Sequence, residues 1–349
     1  MKYSFIIPVY NRPDEVDELL ESLTRQAYTD FEVIIVEDGS AVKCDEVCAR
    51  YRNCLDLKYY YKENSGPGNT RNFGAERATG DYLIILDSDV VLPDGYLNAV
   101  EDELLREPCD AFGGADASHP SFTPVQKAIS YSMTSFFTTG GIRGGKKKLD
   151  KFYPRSYNMG ILRKVYLNMH GFSRMRFGED VDFSYRLVEN RFTTRLFPEA
   201  WVWHKRRTDF KKFFRQVYNS GIARINLTKR HPGTLKLVHT LPAVFTVGVI
   251  TWLVLAIAGL LLALLCTNAT CKTIGTALCL LSLSPIILYS LIIFIDSTIK
   301  NRSLWVGMLS VPAAFTQLMG YGLGFISAWW KRCVLGKDEF QAFEKTFYK

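Results

Sequence analysis

None of the eight cysteines in this 349-residue chain forms a Cys-x-x-Cys pair, the spacing typical of structural zinc sites and thioredoxin-like redox centres. We therefore expect all eight to be reduced and structural, as in a reducing compartment. The sequence also lacks the composition of two non-globular classes. With 48% hydrophobic and 22% charged residues, it is predicted to be neither a disordered chain nor a coiled coil.

Acidic residues are almost missing from residues 205–239, where ten Lys or Arg side chains accompany only Asp209. The formal net charge of +8 is concentrated there, because the rest of the chain is close to neutral. A basic segment beside an apolar region is typical of the flank of a membrane span, and it can also lie against anionic headgroups. We therefore expect membrane lipids, and no nucleic acid, among the partners.

Charged residues are absent from three runs in the last third of the chain, namely 241–266, 273–295 and 303–330. Each run exceeds the roughly 20 residues that a helix needs to cross a bilayer core of about 30 Å. Buried helices of a soluble core are the alternative, but three such runs in succession favour membrane helices. The sequence thus predicts a membrane region over 236–332 and a tail over 333–349.

The beginning of the chain lacks the features of a signal peptide, because its short apolar stretch is interrupted by Pro8 and is typical of a strand. Residues 1–235 are therefore expected to form the cytoplasmic domain of a multi-pass protein of the cell (inner) membrane. The third apolar run has two interpretations. It is either a full span with an exported tail, against the charge bias of Lys331 and Arg332, or a bent or re-entrant segment helped by Pro312.

Strand and helix patterns alternate along the first hundred residues. Continuous apolar runs are typical of strands buried on both faces, and apolar residues at helical spacing predict the helices between them. The alternation predicts an α/β domain, a mostly parallel sheet with helices on both faces, that binds ligands at the carboxyl ends of its strands. The expected strands are 3–9, 31–36, 58–61 and 82–86, and the expected helices are 12–26, 69–78 and 94–105.

Three of these strands end in residues that suit a binding site. Parallel strands bring such ends to one edge of the sheet, and Asp87 and Asp89 could reach one ion from one turn. Aspartates at strand ends also cap turns and helices, which is the alternative for Asp38. The three ends are Pro8-Val9-Tyr10-Asn11, Glu37-Asp38-Gly39-Ser40 and Asp87-Ser88-Asp89.

Four sequence motifs follow one another along the chain, and their order matters as much as each motif alone. They are FIIPVYNR, VIIVEDGS, GPGNTRNFGAERATGDYLIILDSD and YNMGILRKVYLNMHGFSRMRFGEDVDFSYRL. Over roughly residues 1–220 they resemble the family 2 glycosyltransferases, which have the Rossmann-like GT-A fold. The resemblance implies transfer of one sugar from a nucleotide sugar, here a UDP-sugar, to an acceptor hydroxyl with inversion at the anomeric carbon.

The resemblance also implies roles for the residues at the strand ends. Asp89, with Asp87 and the later His204, would bind Mg²⁺ or Mn²⁺, which suit a site of few carboxylates plus substrate phosphates. A purely structural histidine is the alternative for His204. Arg71 would approach the donor phosphates or Asp87, with an ordinary ion pair as its alternative. The base and ribose of the donor would be held by Pro8, Val9, Tyr10 and Asp38.

The GEDVDF segment at 178–183 would supply the catalytic acids. By resemblance Asp180 is the general base that takes the acceptor proton. Glu179 would position the acceptor or adjust the basicity of Asp180. The alternative for the segment is an acidic helix N-terminus, with Asp182 as a cap. Residues 158–160 are expected at the acceptor site. The basic loop at 140–151 is either a solvated loop or a lid over phosphate.

Processive members of the family carry a Gln-x-x-Arg-Trp motif that this chain lacks. A single-sugar transferase is therefore expected, with a lipid-linked saccharide or another cell-surface glycan precursor as its acceptor. Two alternatives stay open, a polyprenyl-phosphate glycosyl donor synthase and a non-catalytic membrane scaffold. The aspartates at 38, 87, 89 and 180 argue against the scaffold.

Overall fold

The computed structural model describes residues 1–117, 119, 121–139 and 152–343. The chain divides into two compact units. Among the described residues, the first unit contains 1–117, 119, 152–205 and Phe343, and the second contains 121–139 and 206–342.

The first unit is built on one mixed sheet, which has eight strands in the described part of the chain. The strands are β1 (Tyr3–Val9), β2 (Phe31–Asp38), β3 (Asp56–Lys62), β4 (Tyr82–Leu86), β5 (Val90–Val91), β6 (Ala111–Ala117), β7 (Asn158–Leu162) and β8 (Thr194–His204). They lie in the order β3-β2-β1-β4-β7-β6-β8-β5, and the first four are parallel. β7 runs antiparallel between β4 and β6, whereas β6 and β8 are parallel. The predicted α/β class with a mostly parallel sheet is confirmed.

Helices connect the strands of the first unit and make up most of the second. They are α1 (Pro13–Thr24), α2 (Asp45–Tyr51), α3 (Pro67–Arg77), α4 (Tyr96–Arg106), α5 (Pro124–Thr134), α6 (Phe136–Thr139), α7 (Arg163–Asn168), α8 (Glu179–Glu189), α9 (Phe210–Arg230), α10 (Leu237–Leu265), α11 (Ala269–Asn301), α12 (Leu304–Trp329) and α13 (Glu339–Phe343).

The core of the first unit lies on both faces of the sheet, because side chains alternate along each strand. Phe5 and Ile7 of β1 pack on one face in a cluster with α1 and α4, whereas Ile6 packs on the other face with α3 and α8. Pro13 opens α1 at a position where its missing N–H costs nothing. The buried face of α1 contains Val16, Leu19, Leu20 and Leu23, which recur at helical spacing.

Glu32, near the start of β2, is a fully buried charge in this sheet. Its carboxylate accepts hydrogen bonds from Ser4 Oγ (2.7 Å), the amide of Thr79 (2.6 Å) and Lys58 Nζ (2.5 Å). Burial alone would raise the pKa of Glu32, but these donors, with Lys58 first among them, lower it to about 2. The carboxylate therefore ties β2 to both neighbouring strands and to the turn before β4.

The second unit contains the apolar helices. In the described part of the chain, three helices are long and apolar enough to cross a membrane: Leu237–Leu265, Ala269–Asn301 and Leu304–Val334, with mean hydropathies of 2.6, 2.5 and 1.2. The third combines α12 with a π-helical turn at Trp330–Val334. The three helices cover the three predicted runs.

Helices α5 and α9 precede the predicted membrane region, yet they belong to the second unit. The division therefore differs from the predicted boundary at residue 235. The reason is the buried face of α9, where Phe213 and Val217 are packed and where Gly221 lets its backbone approach Tyr321 of α12. The sequence did not indicate that this face of α9 is buried, because many residues of α9 are basic.

Cys266 and Cys271 form a disulfide, so the expectation that all eight cysteines are reduced is wrong for this pair. The two residues flank the short turn between α10 and α11. Asn268 begins α11 by accepting hydrogen bonds from the amides of Thr270 and Cys271. The pairing depends on this turn, and the sequence spacing alone did not indicate it.

Candidate active site

The carboxyl ends of β1, β2 and β4 meet at one edge of the sheet, because the three strands are parallel and in register. β4 ends at Leu86, so Asp87 and Asp89 follow at this edge. β5 then pairs antiparallel with β8, which places His204 opposite Val90 and next to Asp89. Sheet register, rather than closeness in sequence, brings the histidine to the two aspartates.

One ligand atom from each of Asp87, Asp89 and His204 lies within 4.8 Å of the others. His204 Nε2 is 3.2 Å from Asp89 Oδ1. Asp89 is buried, whereas Asp87 and His204 are partly exposed. Two carboxylates and one imidazole are a donor set that fits Mn²⁺ or Mg²⁺ and leaves room for phosphate oxygens. The structure thus brings together the three residues proposed as metal ligands.

Side chains around this cluster were not singled out from the sequence. Arg12 Nη1 lies 2.5 Å from Asp89 Oδ2, and Tyr157 stacks on the imidazole of His204 with 5.2 Å between ring centres. Asp116 Oδ2 is 4.0 Å from His204 Nδ1. Burial would lower the pKa of Arg12, but the charge of Asp89 raises it, so Arg12 stays a cation. The signal that could have identified Arg12 is its place directly after the end of β1.

Arg71 of α3 connects the aspartates to the acidic start of α8. Its Nη2 donates to Asp87 Oδ1 at 2.7 Å and its Nη1 to Glu179 Oε1 at 3.1 Å. The side chain is only 5% exposed and lies over the ring of Phe172. Burial would lower the pKa of Arg71, but Asp87 and then Glu179 raise it. The predicted contact with Asp87 is therefore present. It is itself a buried ion pair, so an approach of Arg71 to donor phosphates stays a prediction.

Glu179 and Asp180 begin α8 after Gly178, whose φ of 86° allows the sharp entry into the helix. Both side chains are largely buried. Asp180 Oδ2 accepts from Arg155 Nε at 2.6 Å, and its Oδ1 accepts from the amide of Val181 at 2.9 Å. Arg155 was not predicted, since no pattern links it to α8.

The pKa values of the two acids shift in opposite directions. Burial would raise the pKa of Asp180, but Arg155 lowers it below its usual value. Burial also raises the pKa of Glu179, and the charge of Asp180 adds to this although Arg71 opposes it. Asp180 is therefore the acid held as a carboxylate, the form that a general base requires.

Asp38 follows the predicted strand end and is buried. Its carboxylate accepts from the amides of Ser65 and Gly66, each at 2.9 Å, and pairs with Lys62. Asp38 therefore shapes the turn that opens α3, in agreement with the turn-forming alternative. These contacts do not test whether Asp38 binds the base of the donor, which stays a prediction.

The other predicted donor residues lie at the end of β1. Pro8 and Val9 are the last residues of the strand, and Tyr10 follows with 54% of its surface exposed. Asn11 comes next with a φ of 53° and accepts from the amides of Ala41 and Val42 after β2. This left-handed residue fixes the two strand ends to each other. The sequence placed it at the end of the first strand but did not predict this role.

Two expectations for this region are wrong. Asn158 is 1% exposed and is bonded to Tyr96 and to the carbonyl of Ala200, so it stabilises the sheet and does not line an acceptor site. Asp182 is buried and accepts from Ser173 Oγ and Arg186 Nε, so it holds the preceding loop rather than capping α8. The predicted basic loop at 140–151 lies outside the described residues.

Comparisons with known proteins agree with this arrangement. The profile of the family described as "Glycosyl transferase family 2" matches residues 4–169, so Glu179, Asp180 and His204 lie beyond it. A mannosyltransferase of Pyrobaculum calidifontis, solved with GDP-Man and Mn²⁺, is similar in fold with a TM-score of 0.56 at 14% identity, over 95% of this chain and 88% of that one.

Relatives in sequence are similar to a part of the chain. An uncharacterized glycosyltransferase of Rickettsia felis is 33% identical over 40% of this chain and 23% of its own length. The poly(ribitol-phosphate) beta-N-acetylglucosaminyltransferase TarS of Staphylococcus aureus is 40% identical over 26% of this chain and 16% of its own. The chain thus spans less than a quarter of these relatives. Residues 4–169 are thus similar to glycosyl transferase family 2.

Proposed function

We propose that the protein is a membrane-bound inverting glycosyltransferase that moves one sugar from a nucleotide sugar to an acceptor hydroxyl. The proposal rests on two ion pairs of Arg71. One is with Asp87, a candidate metal ligand, and the other is with Glu179, which lies next to the candidate base Asp180. The acceptor oxygen must lie within reacting distance of the anomeric carbon, on the face opposite the donor phosphates. A buried arginine between the two acidic groups supports such an arrangement.

The donor is a nucleotide sugar, with a UDP-sugar as the first expectation. The base and ribose would lie at the ends of β1 and β2, where Pro8, Val9, Tyr10 and Asp38 are found. The names of the two characterised relatives, a transferase of N-acetylglucosamine and a mannosyltransferase bound to GDP-Man and Mn²⁺, support a donor of this class.

Asp87, Asp89 and His204 would hold the divalent cation, which when bound neutralises the charge of the nucleotide diphosphate. Asp180 takes the proton of the acceptor hydroxyl while the hydroxyl oxygen attacks the anomeric carbon from the face opposite the leaving nucleotide. Arg155 keeps Asp180 ionised before the acceptor arrives. Arg71 holds Asp87 and Glu179 in fixed positions and so orients both groups.

The acceptor would be a lipid-linked saccharide or another cell-surface glycan precursor, reached at the membrane. The apolar helices anchor the protein in the cell (inner) membrane, and the basic residues before α10 support a cytoplasmic catalytic domain. We keep residues 1–235 as the glycosyltransferase portion in this proposal, 236–332 as the membrane region and 333–349 as the tail.

Nucleotide release from a panel of UDP- and GDP-sugars tests the proposal. The full-length protein in native membranes is assayed with Mn²⁺ and with excess chelator, and the membrane lipids are analysed for a new glycolipid. We expect release with one donor and Mn²⁺ only. Sugar on a polyprenyl phosphate would instead identify a donor synthase, and no release with any donor in the presence of membranes would support the scaffold.

A further inference from the structure

Helix α12 first runs along the end of α11. Ser310 Oγ and Ser297 Oγ are 2.6 Å apart, and Ala314 packs with Ile293. A continuation of this antiparallel register to the far end of α11 would bring Phe325 close to Ser282. The second half of α12 does not follow this register and leaves α11.

After residue 315, α12 contacts the first turns of α10. Phe315 packs against both Phe245 of α10 and Tyr289 of α11, and Thr246 lies against the carbonyl of Leu318. A side chain at Gly322 would collide with the carbonyl of Pro242. The first turns of α10 and the last turns of α11 belong to the same end of the α10–α11 hairpin. α12 therefore crosses this end of the hairpin.

The last part of α12 lies on α9. Gly221 of α9 fits against the backbone of Tyr321 and Phe325, and Gly324 of α12 fits against the carbonyl of Tyr218. Two helices approach this closely only where glycines remove the side chains. α9 has no acidic residue and six basic ones, namely Lys211, Lys212, Arg215, Arg224, Lys229 and Arg230.

A spanning α12 would carry α9 into the bilayer with it. Each Lys or Arg near the centre of a membrane costs about 2.5–3.5 kcal/mol on translocon-insertion scales. A spanning α12 would also export Lys331, Arg332 and Lys337, against the charge bias. Both difficulties disappear if α12 stays at the end of the hairpin where Lys236, Lys300 and Arg302 lie.

One side of α12 has exposed apolar side chains toward both ends of the helix. They are Leu304, Trp305, Met308 and Pro312 in the first half and Leu323 and, at the π-helical turn, Trp330 in the second half, whereas Phe315 and Met319 between them are partly buried. These residues recur at helical spacing on the side opposite the residues packed against α9, and together they form an apolar stripe.

We infer that α12 does not span the membrane but lies along its surface on the side of Lys236. The exposed stripe inserts among the acyl chains of that leaflet, and α9, which packs on the opposite side of α12, stays outside the hydrocarbon. Only α10 and α11 cross the bilayer. The tail after Val334 is therefore on the same side as the start of α10. The inference does not depend on the proposed enzymatic activity.

Cysteine labelling in spheroplasts tests the sidedness of the tail. Single cysteines replace Lys236, Asn268 and Lys337 in full-length protein that is otherwise free of cysteine, and a membrane-impermeant maleimide is added before or after lysis. We expect Asn268→Cys to react in intact spheroplasts, and Lys236→Cys and Lys337→Cys to react only after lysis. Labelling of Lys337→Cys together with Asn268→Cys in intact spheroplasts would overturn the inference.

A depth measurement keeps the inference testable if the cysteine-free chain is poorly folded. Spin labels are attached through a genetically encoded ketone amino acid at Leu304, Met319 and Val334 of the wild-type background, so that the native cysteines stay unlabelled. With Val254 of α10 as the matched reference, they are compared in anionic vesicles by collision with oxygen and with a water-soluble nickel chelate. We expect all three labels of the α12 segment to be shallow and the Val254 label to be deep. A Met319 label as deep as that at Val254 means that α12 spans.

Discussion

Replacement of Asp180 by Asn separates a catalytic from a structural role of this acid. The amide keeps the shape and can still bond to the amide of Val181, but it cannot take a proton. Loss of a positioned general base costs about 10²–10⁴-fold in turnover, which is about 2.7–5.4 kcal/mol of barrier. Because Asp87, Asp89 and His204 are unchanged, donor affinity should stay within about twofold.

The stability effect of the same change is much smaller. Arg155, the charged partner of Asp180, has 40% of its side chain exposed, and such an ion pair contributes about 1 kcal/mol or less. A domain of ordinary stability, about 5–15 kcal/mol, stays folded after such a loss. A turnover loss of two orders of magnitude therefore cannot come from unfolding.

Asp182→Asn is the matched control, because Asp182 lies on the same helix, is buried and is bonded to Ser173 and Arg186. We expect it to lower the melting temperature while turnover of the folded protein stays near normal. Nucleotide release and donor binding by calorimetry are measured on the same preparation of each variant. Near-normal turnover in Asp180→Asn, or an equal loss in Asp182→Asn, would refute Asp180 as the base.

Three further predictions follow from contacts in the site and the sheet. Asp89→Ala should reduce nucleotide release to the level found in excess chelator and weaken donor binding in calorimetry; activity that resists both changes would exclude the cation. Arg155→Gln removes the charge that lowers the pKa of Asp180, so the acid limb of the pH profile of kcat/KM should move to higher pH; an unmoved limb contradicts the pairing. Glu32→Gln leaves Lys58 without its charged partner and should cost about 2 kcal/mol in denaturant unfolding at pH 7. The wild-type advantage should fade as pH falls from about 4.5 toward 2, because a lowered pKa stabilises only the ionised protein, and an advantage independent of pH would contradict this origin.

The strand ends could be predicted from the sequence because a local pattern determines them. The fully apolar strand Tyr82–Leu86 must be buried on both faces, and the first polar residues after it must leave the sheet at its carboxyl edge. Asp87 and Asp89 were therefore expected where they are found. His204 was placed through a family resemblance, and the pairing of β5 with β8 gives the physical reason for its position.

The residues that sequence reasoning missed are fixed by tertiary packing. Arg155 reaches Asp180 across 25 positions and Arg12 reaches Asp89 across 77, with no periodicity to connect them. Asn158 was expected at the acceptor site by family resemblance, but Tyr96 and Ala200 take all the bonds observed for its side chain. Polarity alone does not distinguish a binding residue from a buried residue that completes the sheet.

The charges at the strand ends also bear on the order in which ligands bind. Asp87 and Asp89 each face a guanidinium, but Arg71 is shared with Glu179, and Asp116 lies beside His204. Acidic groups therefore outnumber the arginines of the cluster. A divalent cation offsets this excess, whereas a nucleotide diphosphate alone would add to it. Once the cation is bound, the phosphate oxygens can accept hydrogen bonds from the same arginines. The electrostatics of the site therefore favours entry of the cation before or together with the donor over entry of the donor by itself.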